Sequence, residues 1–205
     1  KGVRHLKSSQ VLDEIKSILQ YSPKVIRFVD RTFNDLSERT LEIWRFLVEQ
    51  PGGTLFHFEM APDRFTEEMF GFLEQVSPGR FQFEIGVQST NPQTLKAINR
   101  ECDLEKLGYN IRKLVSLDTI HLHLDLILGL PYENRESFAR SFADVFALGS
   151  HYIQMGLLKI LPDTPISKCI REYGLVACEN PPYEILANRW VEKRELEDLF
   201  WFGEC

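Results

Sequence analysis

The sequence predicts an α/β protein built on parallel strands. Three observations carry that prediction. Apolar residues switch repeatedly between a helical period and a strand period. The strand-like runs begin near residues 24, 54, 80, 119 and 151, and intervals of 30, 26, 39 and 32 residues leave room for a helical crossover each time. Chain breakers fall where the period switches, at Pro23, Pro51-Gly52-Gly53, Pro78-Gly79 and Gly149. Periodicity alone leaves two architectures open, a doubly wound sheet or a barrel. No Gly-x-Gly-x-x-Gly follows a strand, so the dinucleotide fingerprint is absent.

The elements follow in order. Val11, Ile15, Ile18 and Leu19 recur at helical spacing, with Ser8 or Ser9 as the cap. Lys24–Asp30 reads as a short strand. Leu36–Glu49 is helical, with Leu41, Trp44, Phe46, Leu47 and Val48 as its apolar positions, and Thr54–Glu59 alternates as a strand. Thr66 opens a helix that runs to Val76, and Arg80–Gln88 is the third strand. Pro92–Asn99 is a short helix, and Asp103 caps a longer one ending at Leu117. Thr119–Leu128 is the most strand-like run in the chain. A helix over Asn134–Leu148 and a fifth strand over His151–Leu161 complete the pattern. Asn180-Pro181-Pro182 marks a linker, and Tyr183–Phe202 reads as a charged helix with aromatic residues on its surface.

Composition narrows the function classes. The 205 residues are 43% hydrophobic and 26% charged, ordinary values for a globular chain and far from a disordered or fibrous one. A net charge of −6 without any basic block argues against nucleic-acid binding and against an anionic membrane surface. No apolar run reaches the roughly 18 residues that a membrane helix requires, and no signal peptide is evident. The four cysteines, Cys102, Cys169, Cys178 and Cys205, form no Cys-x-x-Cys, so a zinc or redox motif is not expected and a reducing cytoplasm is the default setting.

In parallel α/β folds, ligands sit at the carboxyl ends of the strands. Polar residues gather at those positions: Asp30, Glu59, Glu84, Gln88-Ser89, Asp125 and Lys159. Asp125 is set among Leu124, Leu126, Ile127 and Leu128, where an ionised group is costly unless paired or hydrogen-bonded. The ordinary reading of Asp125, Glu59 and Glu84 is a structural tie. His121 and His123 share a strand face, a spacing compatible with a metal but more usual for packing, and packing is also the default for His57. Ser89 lacks a Gly-x-Ser-x-Gly setting, which argues against a nucleophilic serine.

Three strings together carry a resemblance. Ile85-Gly-Val-Gln-Ser89 leads to Leu95-Lys-Ala-Ile-Asn-Arg100, and Leu124-Asp-Leu-Ile-Leu-Gly-Leu-Pro131 follows; Arg100 stands 12 residues and Asp125 37 residues after Gln88. In order and spacing this resembles the radical S-adenosylmethionine enzymes, above all the oxygen-independent coproporphyrinogen oxidase group and the cobalamin-binding radical enzymes. Phe28-Val-Asp-Arg-Thr-Phe-Asn34 and Ile160-Leu-Pro-Asp-Thr-Pro165 add weaker echoes of the cobalamin-binding group.

The resemblance implies a partial (β/α)6 TIM-like barrel of mostly parallel strands, with its first βα unit incomplete or missing. It divides the chain into a core over residues 1–166 and a helical extension, or the start of a further domain, over 167–205. It implies S-adenosylmethionine as cofactor, gripped by six residues. Arg100 would pair the carboxylate, Glu59 and Asp125 would accept from the ribose hydroxyls or the ammonium, Gln88 would donate and accept, and Ile127 would wall the adenine. Asp30 takes a looser match at the end of its strand. The Cys-x-x-x-Cys-x-x-Cys that binds a [4Fe–4S] cluster in the family is not in this sequence, and Lys1–Arg4 look like residues just beyond it. The expected whole is a cytoplasmic radical enzyme, with a small-molecule substrate, an external electron donor and cobalamin held by an upstream domain. The rival expectation is a degenerate barrel that binds a ligand or partner without a cluster. No residue is expected to bind a metal ion.

Overall fold

The structure, a computed structural model, describes residues 5–100 and 102–204. Lys1–Arg4 and Cys205 therefore lie outside the described residues. The main sheet consists of β1 (Val25–Arg27), β2 (Leu55–Glu59), β3 (Phe81–Gln88), β4 (Ile120–Leu128) and β5 (Tyr152–Leu157), parallel and in the order β1-β2-β3-β4-β5. The intervening helices are α1 (Ser8–Leu19), α2 (Ser37–Glu49), α3 (Glu67–Leu73), α4 (Pro92–Ala97), α5 (Leu104–Leu117) and α6 (Arg135–Phe146). This is the open parallel α/β sheet expected of a partial TIM-like barrel. Among the described residues the sheet does not close.

The two longest strands, β3 and β4, each have two unlike faces. In β3, Phe81, Phe83, Ile85 and Val87 are buried, whereas Gln82, Glu84, Gly86 and Gln88 are half-exposed. In β4, Ile120, Leu122, Leu124, Leu126 and Leu128 are buried, and the residues between them reach solvent to varying degrees. Strand geometry sends alternate side chains to opposite faces. In β3 and β4 one face is thus a packing surface and the other is more accessible.

The chain gathers into two units, Lys1–Ile85 with Lys106–His123, and Gly86–Glu105 with Leu124–Cys205. The first is held by an aromatic core. Trp44 of α2 is fully buried, stacks on Phe83 at 5.5 Å and touches Phe81 at 5.7 Å, while Phe58 packs edge-on to Phe81 at 5.3 Å. Each buried aromatic contributes about 1.5–3 kcal/mol through the surface it removes from water. Arg80, at the start of β3, closes the base of this core. Its guanidinium donates to the carbonyls of Leu47, Gln50, Gly52 and Thr54 and lies 5.1 Å from the centre of the Phe56 ring.

Several elements differ from the expected ones. The first strand is only three residues long, because after Arg27 a single further ladder bond forms, from Phe28 N–H to His57 O, before the chain turns away. Lys7 rather than Ser8 or Ser9 precedes α1, and Ile18 stays 45% exposed because α1 buries only Ile15 fully. In the second unit β5 stops at Leu157, where the tail captures the continuing backbone: Ile185 N–H donates to Leu158 O and Ile160 N–H donates to Tyr183 O.

The tail is also not one helix. Ile185–Ala187 forms β7, paired antiparallel with β6 (Val176–Ala177), after a one-turn helix α7 (Ile170–Tyr173). Helix α8 covers only Lys193–Gly203, opened by a Glu192/Glu195 capping box. Asn188 makes the junction. Its side chain accepts from the Trp190 and Val191 amides and donates to the Gly129 carbonyl. Gly129 has φ +82°, and a Cβ there would meet Ile185 Cγ2 at 2.6 Å, so both the backbone angle and the close approach of β7 require glycine.

Candidate functional site

In the second unit, the geometry around Arg100 comes from the way α4 ends. Asn99 takes φ +54°, a left-handed conformation that asparagine tolerates. Its amide donates to Lys96 O, and the Arg100 amide donates to Leu95 O, the paired bonds of a Schellman motif. The chain reverses there and the Arg100 guanidinium reaches back to donate to the Gly86 carbonyl in β3. Gln88 has φ +71° at the end of the same strand, and its amide lies over Gly86, where a Cβ would overlap it. The structure therefore brings Gln88 and Arg100 together on one glycine of β3. The Gly-Val-Gln-Ser and Asn-Arg strings are two halves of one local arrangement.

Two cavities adjoin this point within the second unit. A cleft of about 890 Å³ is lined by Leu95, Lys96, Asn99, Arg100, Cys102 and Asp103, among others. A smaller, mainly apolar one of about 320 Å³ is lined by Ala97, Ile98, Asn99, Ile127, Leu130 and Leu158, among others. Asn99 borders both. Asp125 and Ile127 are half-buried residues on the same face of β4. An apolar slot, a guanidinium and amide and carboxylate side chains are thus available in one unit, which suits a ligand having a flat apolar part and an anionic part.

The turn that carries Gln88 is fixed from below. Ser89, fully buried, donates to Glu133 Oε1 at 2.7 Å, and Ser141 of α6 donates to the same oxygen at 2.9 Å. Ser89 Oγ also accepts from the Asn91 amide, and Asn91 donates to the Tyr132 carbonyl. Burial raises the Glu133 carboxyl above the ordinary carboxylate range, although the two serine hydroxyls pull it down. Ser89 is accordingly a structural hydroxyl, not a nucleophile. Sequence reasoning missed Glu133 and Ser141, since neither belongs to a strand end; the one signal for Glu133 was a carboxylate two residues after the Leu128–Pro131 run.

The first unit carries its own polar cluster. Glu59 and Glu84 are register partners on β2 and β3. His57, two residues before Glu59, is 4% exposed and sets Nε2 3.1 Å from Glu84 Oε2. Burial raises the Glu59 carboxyl, the neighbouring Glu84 charge raises it further, and His57 and Arg31 partly offset this. Asp30, three residues past β1, is exposed. Glu84 and His57 join Glu59 here, although a packing role was the default for His57. Their signal was the spacing of two residues within β2, which places His57 and Glu59 on one face. Gln82 and His123 meet at 2.7 Å, and His121 packs edge-on to His123. Among the described residues no group of three or more His, Cys, Asp or Glu side chains is placed to hold a metal ion.

The fold and these residues define a parallel α/β protein with polar side chains gathered at the carboxyl ends of its strands. More specifically, the chain belongs to the Radical SAM superfamily, whose family model matches residues 1–145. Among curated relatives, it is 35% identical over 98 residues to the cobalamin-dependent radical SAM methyltransferase TokK of Streptomyces tokunonensis, a match covering 44% of this chain and 14% of that protein. It is 26% identical over 167 residues to the tRNA-2-methylthio-N(6)-dimethylallyladenosine synthase of Acinetobacter baumannii, covering 77% of this chain and 35% of that one. The chain therefore spans well under half the length of these curated relatives.

Solved structures agree on the fold. The radical S-adenosylmethionine methyltransferase TsrM from Kitasatospora setae, with cobalamin and a [4Fe-4S] cluster bound, superposes with a TM-score of 0.71 at 18% identity, over 91% of this chain and 37% of that one. Coproporphyrinogen III oxidase HemN from Escherichia coli does so with 0.66 at 19% identity, over 95% and 45%. The family implies S-adenosylmethionine and a [4Fe–4S] cluster. The residues around Arg100 fit the first. The described cysteines do not fit the second, because Cys102, Cys169 and Cys178 stand 67 and 9 residues apart and a cluster of this kind needs a close set of thiolates. Among the described residues no helix is long and apolar enough to cross a membrane.

Proposed function

We propose that the second unit of this chain binds the nucleoside and amino-acid parts of S-adenosylmethionine for a radical enzyme of the cobalamin-linked, methyl-transferring kind. Arg100 pairs the carboxylate of the methionine moiety through charge-assisted hydrogen bonds. Gln88 donates and accepts beside it, Asp125 accepts from the ribose hydroxyls or the ammonium, and Ile127 supplies the apolar wall for adenine. Glu59 and Asp30 belong to the first unit, and the proposal does not rely on them. The observation that carries it is the reversal at Asn99, which returns the Arg100 guanidinium to Gly86 and Gln88 next to an apolar slot bordered by Ile127. The likeness to TokK supports the methyl-transferring, cobalamin-linked class.

Isothermal titration of the chain with S-adenosylmethionine tests this. Arg100→Ala should weaken binding by about tenfold to a hundredfold, the worth of one hydrogen-bonded charge. Unchanged affinity with an unchanged circular dichroism spectrum would remove Arg100 from the site. The second reading, a barrel that binds a ligand without cluster chemistry, is favoured by the described cysteines alone. It predicts that iron and sulfide reconstitution of any longer form of this protein gives no cluster absorption.

A further inference from the structure

Gln88 sits at φ +71°, a left-handed conformation that a residue other than glycine keeps only where its surroundings impose it. The bonds that impose it start from the residues just after it. Ser89 Oγ accepts from the Asn91 amide at 3.0 Å, and Ser141 Oγ accepts from the Thr90 amide at 3.1 Å. Both hydroxyls give their protons to Glu133 Oε1, at 2.7 and 2.9 Å. Thr90 Oγ1 donates to Asp144 Oδ2 at 2.6 Å, so α6 holds the turn twice, through Ser141 and through Asp144. All of these residues belong to the second unit.

A hydroxyl has one proton and two lone pairs. With both protons committed to one carboxyl oxygen, the lone pairs of Ser89 and Ser141 are left for the two amides of the turn. Glu133 thereby orients two acceptors at once. Ser89, Ser141 and Glu133 are all buried, so water does not compete for these bonds. The other carboxyl oxygen, Oε2, is buried too, and among the described residues it has no hydrogen-bond partner. The turn therefore needs a single acceptor oxygen from residue 133 and not its charge.

We propose that Glu133 is a positioning residue of the cofactor site, which, through Ser89 and Ser141, sets the turn that presents Gln88 to S-adenosylmethionine. This role rests on the nucleoside reading and deepens it, adding a residue that acts only through other side chains. Without the acceptor each hydroxyl is free to turn its proton elsewhere. The Thr90 and Asn91 amides then lose their fixed partners, the turn relaxes toward ordinary φ, and Gln88 leaves its place over Gly86.

The test combines calorimetric titration with S-adenosylmethionine and amide spectra of the 15N-labelled chain. Glu133→Leu, which removes the acceptor, should weaken binding about tenfold and move the Gln88 side-chain amide signals of the ligand-free chain. Ser141→Ala, a small change on α6, should weaken it about fivefold, and it decides the matter where Glu133→Leu does not fold. Glu133→Gln keeps an acceptor oxygen and should restore both the affinity and the Gln88 signals, which a role for the charge would not allow. A wild-type chain that binds no S-adenosylmethionine would overturn the nucleoside reading and this role with it. Where the wild type binds, an affinity that neither Glu133→Leu nor Ser141→Ala lowers would overturn this role alone. So would Gln88 signals that stay in place while affinity falls, or a Glu133→Gln chain as weak as Glu133→Leu.

Discussion

Ser89 donates its hydroxyl to Glu133 at 2.7 Å, in a place where both side chains are cut off from water. The bond joins the end of β3 to the segment leaving β4, and it holds the turn on which Gln88 sits. Because burial raises the Glu133 carboxyl, the folded chain binds its proton more tightly than the unfolded chain does. The sign follows from linkage. The stabilisation is full below the ordinary carboxylate range and is lost as pH rises through the higher folded value. Urea unfolding should give a lower midpoint at pH 7.5 than in mild acid, and Glu133→Gln, which cannot ionise, should flatten that part of the dependence. An unchanged slope in the variant would place the titration elsewhere.

Asn99 should be replaceable by Gly but not by Val. At φ +54° a β-branched residue is strained, at a cost of about 1–2 kcal/mol. Asn99→Val should lower the unfolding free energy by that amount and also weaken S-adenosylmethionine binding, since the same turn aims Arg100. Asn99→Gly should keep the affinity near that of the wild type. Calorimetry on the two variants separates aim from stability.

Gly129→Ala meets two obstacles, the positive φ and the side chain of Ile185. It should destabilise the second unit. Adding Ile185→Ala to it should recover only the part caused by the clash and leave the backbone strain. Thermal unfolding of the single and double variants measures the division, and complete recovery would show that φ carries no cost here.

Arg80→Lys should cost about 1–3 kcal/mol, because an ammonium cannot reach the four carbonyls that the planar guanidinium serves. Chemical denaturation checks the value.

The strands were legible above all where β3 and β4 alternate between a buried and a more accessible face, and the meeting of Gln88 and Arg100 on Gly86 was foreshadowed by the order and spacing of their two strings. What the sequence concealed was long-range pairing. The end of β5 and the first part of the supposed tail helix are shaped by each other: Leu158 and Ile160 bond to Tyr183 and Ile185, some 25 residues on, and no local pattern announces that pairing. A helical reading of residues 183–202 weighed charge pattern alone, whereas the backbone of Ile185–Ala187 was claimed by β6. Glu133 escaped notice for a related reason. Its partners, Ser89 and Ser141, are 44 and 8 residues away, and only folding places them on one oxygen.

The central claim is that the Gly86–Arg100 segment and the end of β4 grip S-adenosylmethionine. The most direct measurement is a two-dimensional amide spectrum of the 15N-labelled chain during titration with S-adenosylmethionine. The account predicts shifts concentrated on Gly86–Gln88, Asn99, Arg100 and Asp125–Gly129. Shifts confined to Phe33–Phe65, or none at all, would contradict it.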